Sequence, residues 1–150
     1  VIMQILLYTP DNPLKENQYK QYKREINTWK KDSRYIGCRA LDDILYNVYE
    51  EGKFYGIVIC ENDIIKGIIT YQYKDDQFIH ILHLASCGGY GKLLMKEICN
   101  EAVNNNRGIY LESAPKAVNF YTKLKMKWKE IDCFDIFYFT KQQAMAFINS

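Results

Sequence analysis

A chain of 150 residues is the length of one compact domain, which excludes most multidomain machines and predicts one core with one site. Hydrophobic residues at 48% and charged residues at 25% match the globular average and exclude a disordered, collagenous or coiled-coil chain. Twenty basic against eighteen acidic side chains leave a net charge of +2, too little to bind phosphate backbones through charge alone, so nucleic acid is not the expected partner.

The longest apolar stretches, Ile64 to Ile69 and Phe78 to Ala85, are interrupted by Lys66, His80 and His83. They fall short of the roughly 18 residues that span a bilayer, so no membrane segment is expected. Val1 to Gln4 carries no basic stretch leading into an apolar run, which argues against a secretory signal and for a cytoplasmic location. The five cysteines Cys38, Cys60, Cys87, Cys99 and Cys133 contain no Cys-x-x-Cys pair, which predicts free thiols and no metal site. The 13 tyrosines suit strands and half-buried surfaces, where a ring packs while its hydroxyl stays wet.

In chain order, Gln4 to Thr9 reads as a strand stopped by Pro10-Asp11-Asn12-Pro13. Tyr19, Tyr22, Ile26 and Trp29 follow the spacing of one helix face and predict a helix between Leu14 and Lys31. Leu41, Ile44, Leu45 and Val48 predict a second helix, with Asp42 and Asp43 at its positive end and Gly52 as terminator. The β-branched and aromatic runs Phe54 to Cys60, Ile64 to Tyr73 and Gln77 to Ala85, divided by polar turns, predict an antiparallel meander. Its last strand enters Ser86-Cys87-Gly88-Gly89-Tyr90-Gly91, after which Leu94, Ile98 and Ala102 mark a helix ending at Asn104 to Gly108. A short strand from Ile109 to Glu112 precedes a helix begun by Pro115 and carrying Val118, Phe120, Tyr121 and Leu124. Trp128 to Ile131 and Phe134 to Phe139 predict a closing hairpin, and Thr140 with Gln143 forms a capping-box pattern before a last short helix.

A glycine-rich turn between strand and helix presents successive backbone N–H groups at the positive helix end, where phosphate oxygens bind. The P-loop count fails, because Ser86 stands where a glycine is needed and Leu93 where a hydroxyl is needed. The dinucleotide fingerprint fails as well, with Leu94 at a glycine or alanine position and a meander in front.

What remains is S-C-G-G-Y-G-K-L-L, followed about 30 residues later by A-V-N-F-Y-T-K-L, in the order β-α-α-β-β-β-loop-α-β-α-β-β. This resembles the GNAT family, the Gcn5-related N-acetyltransferases, in element order over nearly the whole chain and in motif over Phe78 to Ile98 and Ile109 to Trp128. The resemblance implies a single α/β domain with a mixed, mostly antiparallel sheet and helices on both faces. It implies acetyl-coenzyme A as cofactor and an amine-bearing acceptor, a small molecule or a protein, that attacks the thioester directly. Gly89 and Gly91 match the family's [QR]-x-x-G-x-[GA] loop, whose amides hold the pyrophosphate, and Ser86 stands where Gln or Arg is usual. The implied cofactor contacts run from Leu84, Ala85 and Ser86 through Cys87, Gly88, Gly89, Tyr90, Gly91 and Lys92, with Asn119 and Tyr121 added. Tyr121 matches the tyrosine near the thioester sulfur, while Lys125-Met126 replaces the family's usual Gly-Phe pair.

For the base that deprotonates the amine, His80, His83 and Glu112 are alternatives, each also readable as a structural or solvated side chain. The two histidines lie three apart on one strand and should face opposite sides, which argues against joint metal binding. Cys87 has no local histidine and reads as a small loop residue. Lys116, Lys123, Lys125, Lys127 and Lys129 form a window free of acidic residues, read as a solvated face or an attraction for the 3′-phosphate of coenzyme A. Asp42, Asp43, Glu50 and Glu51 would draw in a cationic acceptor or simply cap and solvate the second helix. Two other readings stand beside catalysis: a GNAT-fold protein that binds coenzyme A without turning it over, and a basic nucleic-acid-binding module resting on the lysine window alone.

Overall fold

The structure, a computed structural model, describes residues 2–37, 41–50 and 54–150. Cys38, Glu51 and Gly52, and the side chain of Asp42, lie outside the described residues, and with them the readings placed there. The elements run β1 (Met3–Tyr8), α1 (Glu16–Ile26), α2 (Leu41–Tyr49), β2 (Tyr55–Glu61), β3 (Ile64–Tyr73), β4 (Phe78–Ser86), α3 (Gly91–Asn104), β5 (Gly108–Glu112), α4 (Val118–Lys123), β6 (Lys127–Ile131), β7 (Phe134–Phe139) and α5 (Lys141–Ile148). Every element expected from the sequence is present, in the expected order.

Two helices are shorter than their patterns. The first ends at Ile26, where the Thr28 hydroxyl donates to the Glu25 carbonyl at 2.8 Å and Trp29 to Lys31 form a separate 3₁₀ turn. A side chain that bonds a nearby carbonyl competes with the helical ladder. Trp29 remains buried, so the apolar period is kept although the helix is not. Pro115 likewise opens a 3₁₀ turn, and α4 begins only at Val118.

The strands pair in the order β1-β2-β3-β4-β5-β7-β6, a mixed sheet in which β4 and β5 run parallel. The chain divides into two compact units, Val1–Tyr71 with His83–Leu94, and Gln72–Leu82 with Met95–Ser150. Each boundary falls inside a strand or helix, so the units are not successive domains along the chain.

In the first unit the apolar faces of α1 and α2, with Tyr22, Ile26, Ile44, Leu45 and Val48, pack on Val58, Cys60, Ile65 and Ile68 of the sheet. Ile57 and Ile59 alternate with these and are buried on the opposite face. There Gly67, paired with Ile59, lets α3 approach: a Cβ at Gly67 would lie 2.8 Å from Leu94 Cδ1. Helices therefore cover both faces of this part of the sheet. In the second unit β5 lies between β4 and β7, with β6 outermost. Phe139 packs on Phe147 of α5, whose start is the capping box of Thr140 and Gln143.

β4 is not a regular strand. Gln77 gives its carbonyl to Gly108 of β5, so strict alternation would turn Ser86 toward β3. Instead both main-chain groups of Ser86 bond Ile36, and it is Cys87 N–H that donates to Lys66 of β3. The alternation slips by one residue between Ile81 and Ser86, where burial also stops alternating, at Leu82-His83.

Candidate active site

The loop after β4 is built from two left-handed glycines. Gly88 has φ +62° and Gly89 φ +81°, a conformation that side chains with a Cβ resist. Gly91 then opens α3, and the first amide bonded along that helix is Leu94's, to Tyr90 at 3.1 Å. The amides of Gly91, Lys92 and Leu93 precede it at the positive end of a 14-residue helix. This is a ready anion cradle.

Residues from elsewhere in the first unit meet the loop. Asp32 accepts from Gly88 N–H at 3.1 Å and from Arg34 N–H at 2.7 Å. These two amides, Arg34's first, hold its carboxyl below the usual carboxylate range. The Gly88 amide is thus engaged by a carboxylate of the chain itself. The Tyr90 hydroxyl donates to the Glu61 carboxylate. Asp32, Arg34, Glu61, Lys66, Gly88, Gly89 and Tyr90 line a cleft of about 280 Å³.

Of the remaining loop and strand positions, Leu84, Ala85 and Ser86 are buried. Ser86 has no exposed surface, its hydroxyl has no hydrogen-bond partner, and its main chain is spent on Ile36 at 2.7 and 3.0 Å. Its side chain sits where a Cβ on Gly67 would lie 3.5 Å away, so it does not line the cleft. Cys87 is buried and its thiol is pushed up by that burial, which fits a packed loop residue and not a nucleophile. Lys92 is exposed on the first turn of α3.

The base candidates stand in different surroundings. His83 is half-buried, and burial holds its imidazole below the ordinary value, with the Asp43 carboxylate opposing that shift. It is therefore neutral at pH 7, the form that accepts a proton. His80 places Nε2 2.6 Å from Asp75 Oδ2 and its ring 4.9 Å from that of Tyr110. Asp75 also accepts from Gln77 and Phe78 N–H, so His80 helps close the β3–β4 turn. Glu112 is exposed at the end of β5, opposite Ile136.

In the second unit Tyr121 is 6% exposed on α4, its ring 5.1 Å from Phe120 and 5.5 Å from Phe137, and Asn119 is exposed on the same helix. In place of Gly-Phe, Lys125 adopts φ +63° and Met126 is buried, so lysine occupies the left-handed position that glycine would fill without strain. The lysine window is solvent-facing, with Lys129 Nζ over the rings of Tyr110 and Tyr138 at 5.7 and 5.2 Å. Cys60, Cys87, Cys99 and Cys133 are free thiols, and among the described residues no group of three His, Cys, Asp or Glu could hold a metal ion. No helix among them is long and apolar enough to cross a membrane.

The architecture is that of the GNAT N-acetyltransferases. An N-acetyltransferase from Staphylococcus aureus Mu50 superposes with a TM-score of 0.64 at 17% identity, covering 95% of this chain and 99% of its own. Campylobacter jejuni N-acetyltransferase PseH, in complex with acetyl coenzyme A, superposes at 0.62 with 15% identity over 92% and 99%. An aminoglycoside 6′-acetyltransferase type Ii does so at 0.61 with 15% identity over 92% and 97%. At these identities the likeness is one of fold. No protein-family model matches the chain, and no curated protein matches it.

Proposed function

We propose that the protein is an acetyl-coenzyme A-dependent N-acetyltransferase that passes the acetyl group to a primary amine by direct attack. The observation that carries this reading is the loop from Gly88 to Gly91: left-handed glycines running into the open amides of α3, in a chain with the GNAT fold. Those amides suit a diphosphate, and the stretch of β4 between the end of its pairing with β5 at Ile81 and the Ile36 bridge at Ser86 suits the amides of a pantetheine arm. PseH, of like fold, holds acetyl coenzyme A.

In this reading the bound thioester supplies the acetyl group. His83 accepts the amine proton, since burial keeps its imidazole neutral. His80, tied to Asp75, and the exposed Glu112 rank behind it. Tyr121 donates its phenolic proton to the departing thiolate. Asn119 and the loop from Leu84 to Lys92, apart from the buried side chain of Ser86, position the cofactor. The protein works in the cytoplasm, where the cofactor is made and its own thiols stay reduced.

If His83 is the base, activity falls as the pH drops through an apparent pKa below the ordinary imidazole value near 6.5, because protonation removes the acceptor lone pair. His83→Gln is expected to flatten that limb, and His80→Gln to keep it. A limb that survives in His83→Gln moves the role to Glu112 or solvent.

The cofactor reading is tested by a thermal melt. At 100 to 1,000 times its dissociation constant, acetyl-coenzyme A should stabilise the fold by roughly 3–4 kcal/mol, a shift of about 6–16 °C for a domain of this size. A melt unmoved by millimolar cofactor would contradict it. Binding without turnover is the second reading, favoured by Ser86 in place of Gln or Arg and by Lys125-Met126 in place of Gly-Phe.

A further inference from the structure

We infer that Arg34, from the segment between α1 and α2, supplies the cationic contact to the cofactor's diphosphate that Ser86, buried in the loop, cannot make. The inference rests on the cofactor reading above and adds to it a residue that lies far from the loop in sequence.

The segment carrying Arg34 is fastened to the loop on both sides of that residue. Asp32 accepts from Gly88 N–H at 3.1 Å, and Ile36 and Ser86 exchange both main-chain hydrogen bonds, at 3.0 and 2.7 Å. Between these ties the Asp32 carboxylate also accepts from Arg34 N–H at 2.7 Å, which fixes where the Arg34 side chain leaves the backbone. The guanidinium then lies over the two left-handed glycines. A Cβ on Gly89 would be 3.6 Å from Arg34 Nη1, and one on Gly88 would be 3.9 Å from Nη2.

Arg34 is bound only loosely by its neighbours. Its Nε is 3.7 Å from Asp32 Oδ1, beyond a hydrogen bond, and its side chain is 67% exposed. The planar fork is therefore free to turn onto an anion on the loop, and guanidinium matches phosphate oxygens two at a time. The other charges of the cleft are Lys66, Asp32 and Glu61; Asp32 is occupied by amides and Glu61 receives the Tyr90 hydroxyl. Ser86 cannot share the task, because its hydroxyl is shut beneath Gly67 and its backbone is the very group that anchors Ile36. The loop thus gains a cationic side chain brought in by strand-like pairing.

The test compares two ligands on wild type, Arg34→Ala and Arg34→Lys. Acetyl-coenzyme A is titrated by calorimetry, and S-acetylpantetheine, the same thioester arm without the diphosphate, is followed by ligand-observed NMR at millimolar concentration. Arg34→Ala should raise the dissociation constant for acetyl-coenzyme A by about tenfold or more, with Arg34→Lys recovering part of the loss. S-acetylpantetheine should bind all three proteins alike, and the ligand-free melts should coincide. Equal affinity for acetyl-coenzyme A in wild type and Arg34→Ala overturns the inference and leaves the cofactor reading standing. Weakening of both ligands to the same degree also overturns it, since that marks a general disturbance of the loop. A wild-type protein that does not bind acetyl-coenzyme A overturns the cofactor reading and this inference with it.

Discussion

Tyr121→Phe is expected to lower turnover by about 10²–10⁴-fold while leaving the melting temperature and the cofactor-induced shift in place. The substitution keeps the ring, which is buried on α4 against Phe120 and Phe137. Only the hydroxyl is lost, and a phenol, protonated at neutral pH, is the group we propose to give its proton to the leaving thiolate. The Michaelis constant for acetyl-coenzyme A should change little, because the hydrogen bond is made as the thiolate forms. A variant that keeps more than about half of wild-type turnover when chemistry limits the rate would make Tyr121 a packing residue.

Gly89→Val is expected to abolish the shift of the melt by acetyl-coenzyme A. A β-branched side chain here stands between the loop amides and Arg34, where the diphosphate would approach. The space itself is tolerant, since the nearest atom to a Cβ would be Arg34 Nη1 at 3.6 Å. The backbone is not. At φ +81° a valine is strained by roughly 1–3 kcal/mol, so the ligand-free melt should also fall by about 2–12 °C. Gly89→Ala separates the two effects: it carries most of the backbone strain with little of the bulk, and should retain part of the ligand-induced shift. A full shift in Gly89→Val would place the cofactor elsewhere.

Much of this architecture is legible in the sequence, for identifiable reasons. The β-branched and aromatic run Ile64 to Tyr73 and the polar turns around it give the meander, and β3 spans those residues. Thr140 and Gln143 state the start of α5 outright, since a capping box is a local device of side chain and backbone. The parallel pairing of β4 with β5 is not legible, because it depends on how the chain returns after α3 and not on any local pattern. The slip in β4 is not legible either, because it lies in which neighbours the main chains of Ser86 and Cys87 bond.

The site divides in the same way. Gly88, Gly89 and Gly91 announce the cradle because only glycine is at ease where φ is positive and a backbone must meet a ligand. Asp32 and Arg34 carry no such signal. They are one acid and one base in a charged loop, and what makes them part of the cleft is the segment's pairing with Ser86 and Gly88, far away in the chain. Lys66 and Glu61 are legible only as polar interruptions of strands, and the structure gives them to the same cleft. Ser86 illustrates the opposite error. Its place in the motif implies a cofactor contact, while its side chain is turned inward beneath Gly67, a direction set by the slip in β4.

The most direct test of the account is the fate of a labelled acetyl group. Wild-type protein is incubated with acetyl-coenzyme A carrying radiolabel in the acetyl carbonyl, against a panel of small-molecule amines, peptides and proteins. The account predicts that label appears as an amide on at least one acceptor, with an equal amount of free thiol released, and that Tyr121→Phe slows both together. Label that stays on the thioester across the whole panel, in a protein whose melt is raised by the same cofactor, would contradict it and leave a binder of coenzyme A without transferase activity.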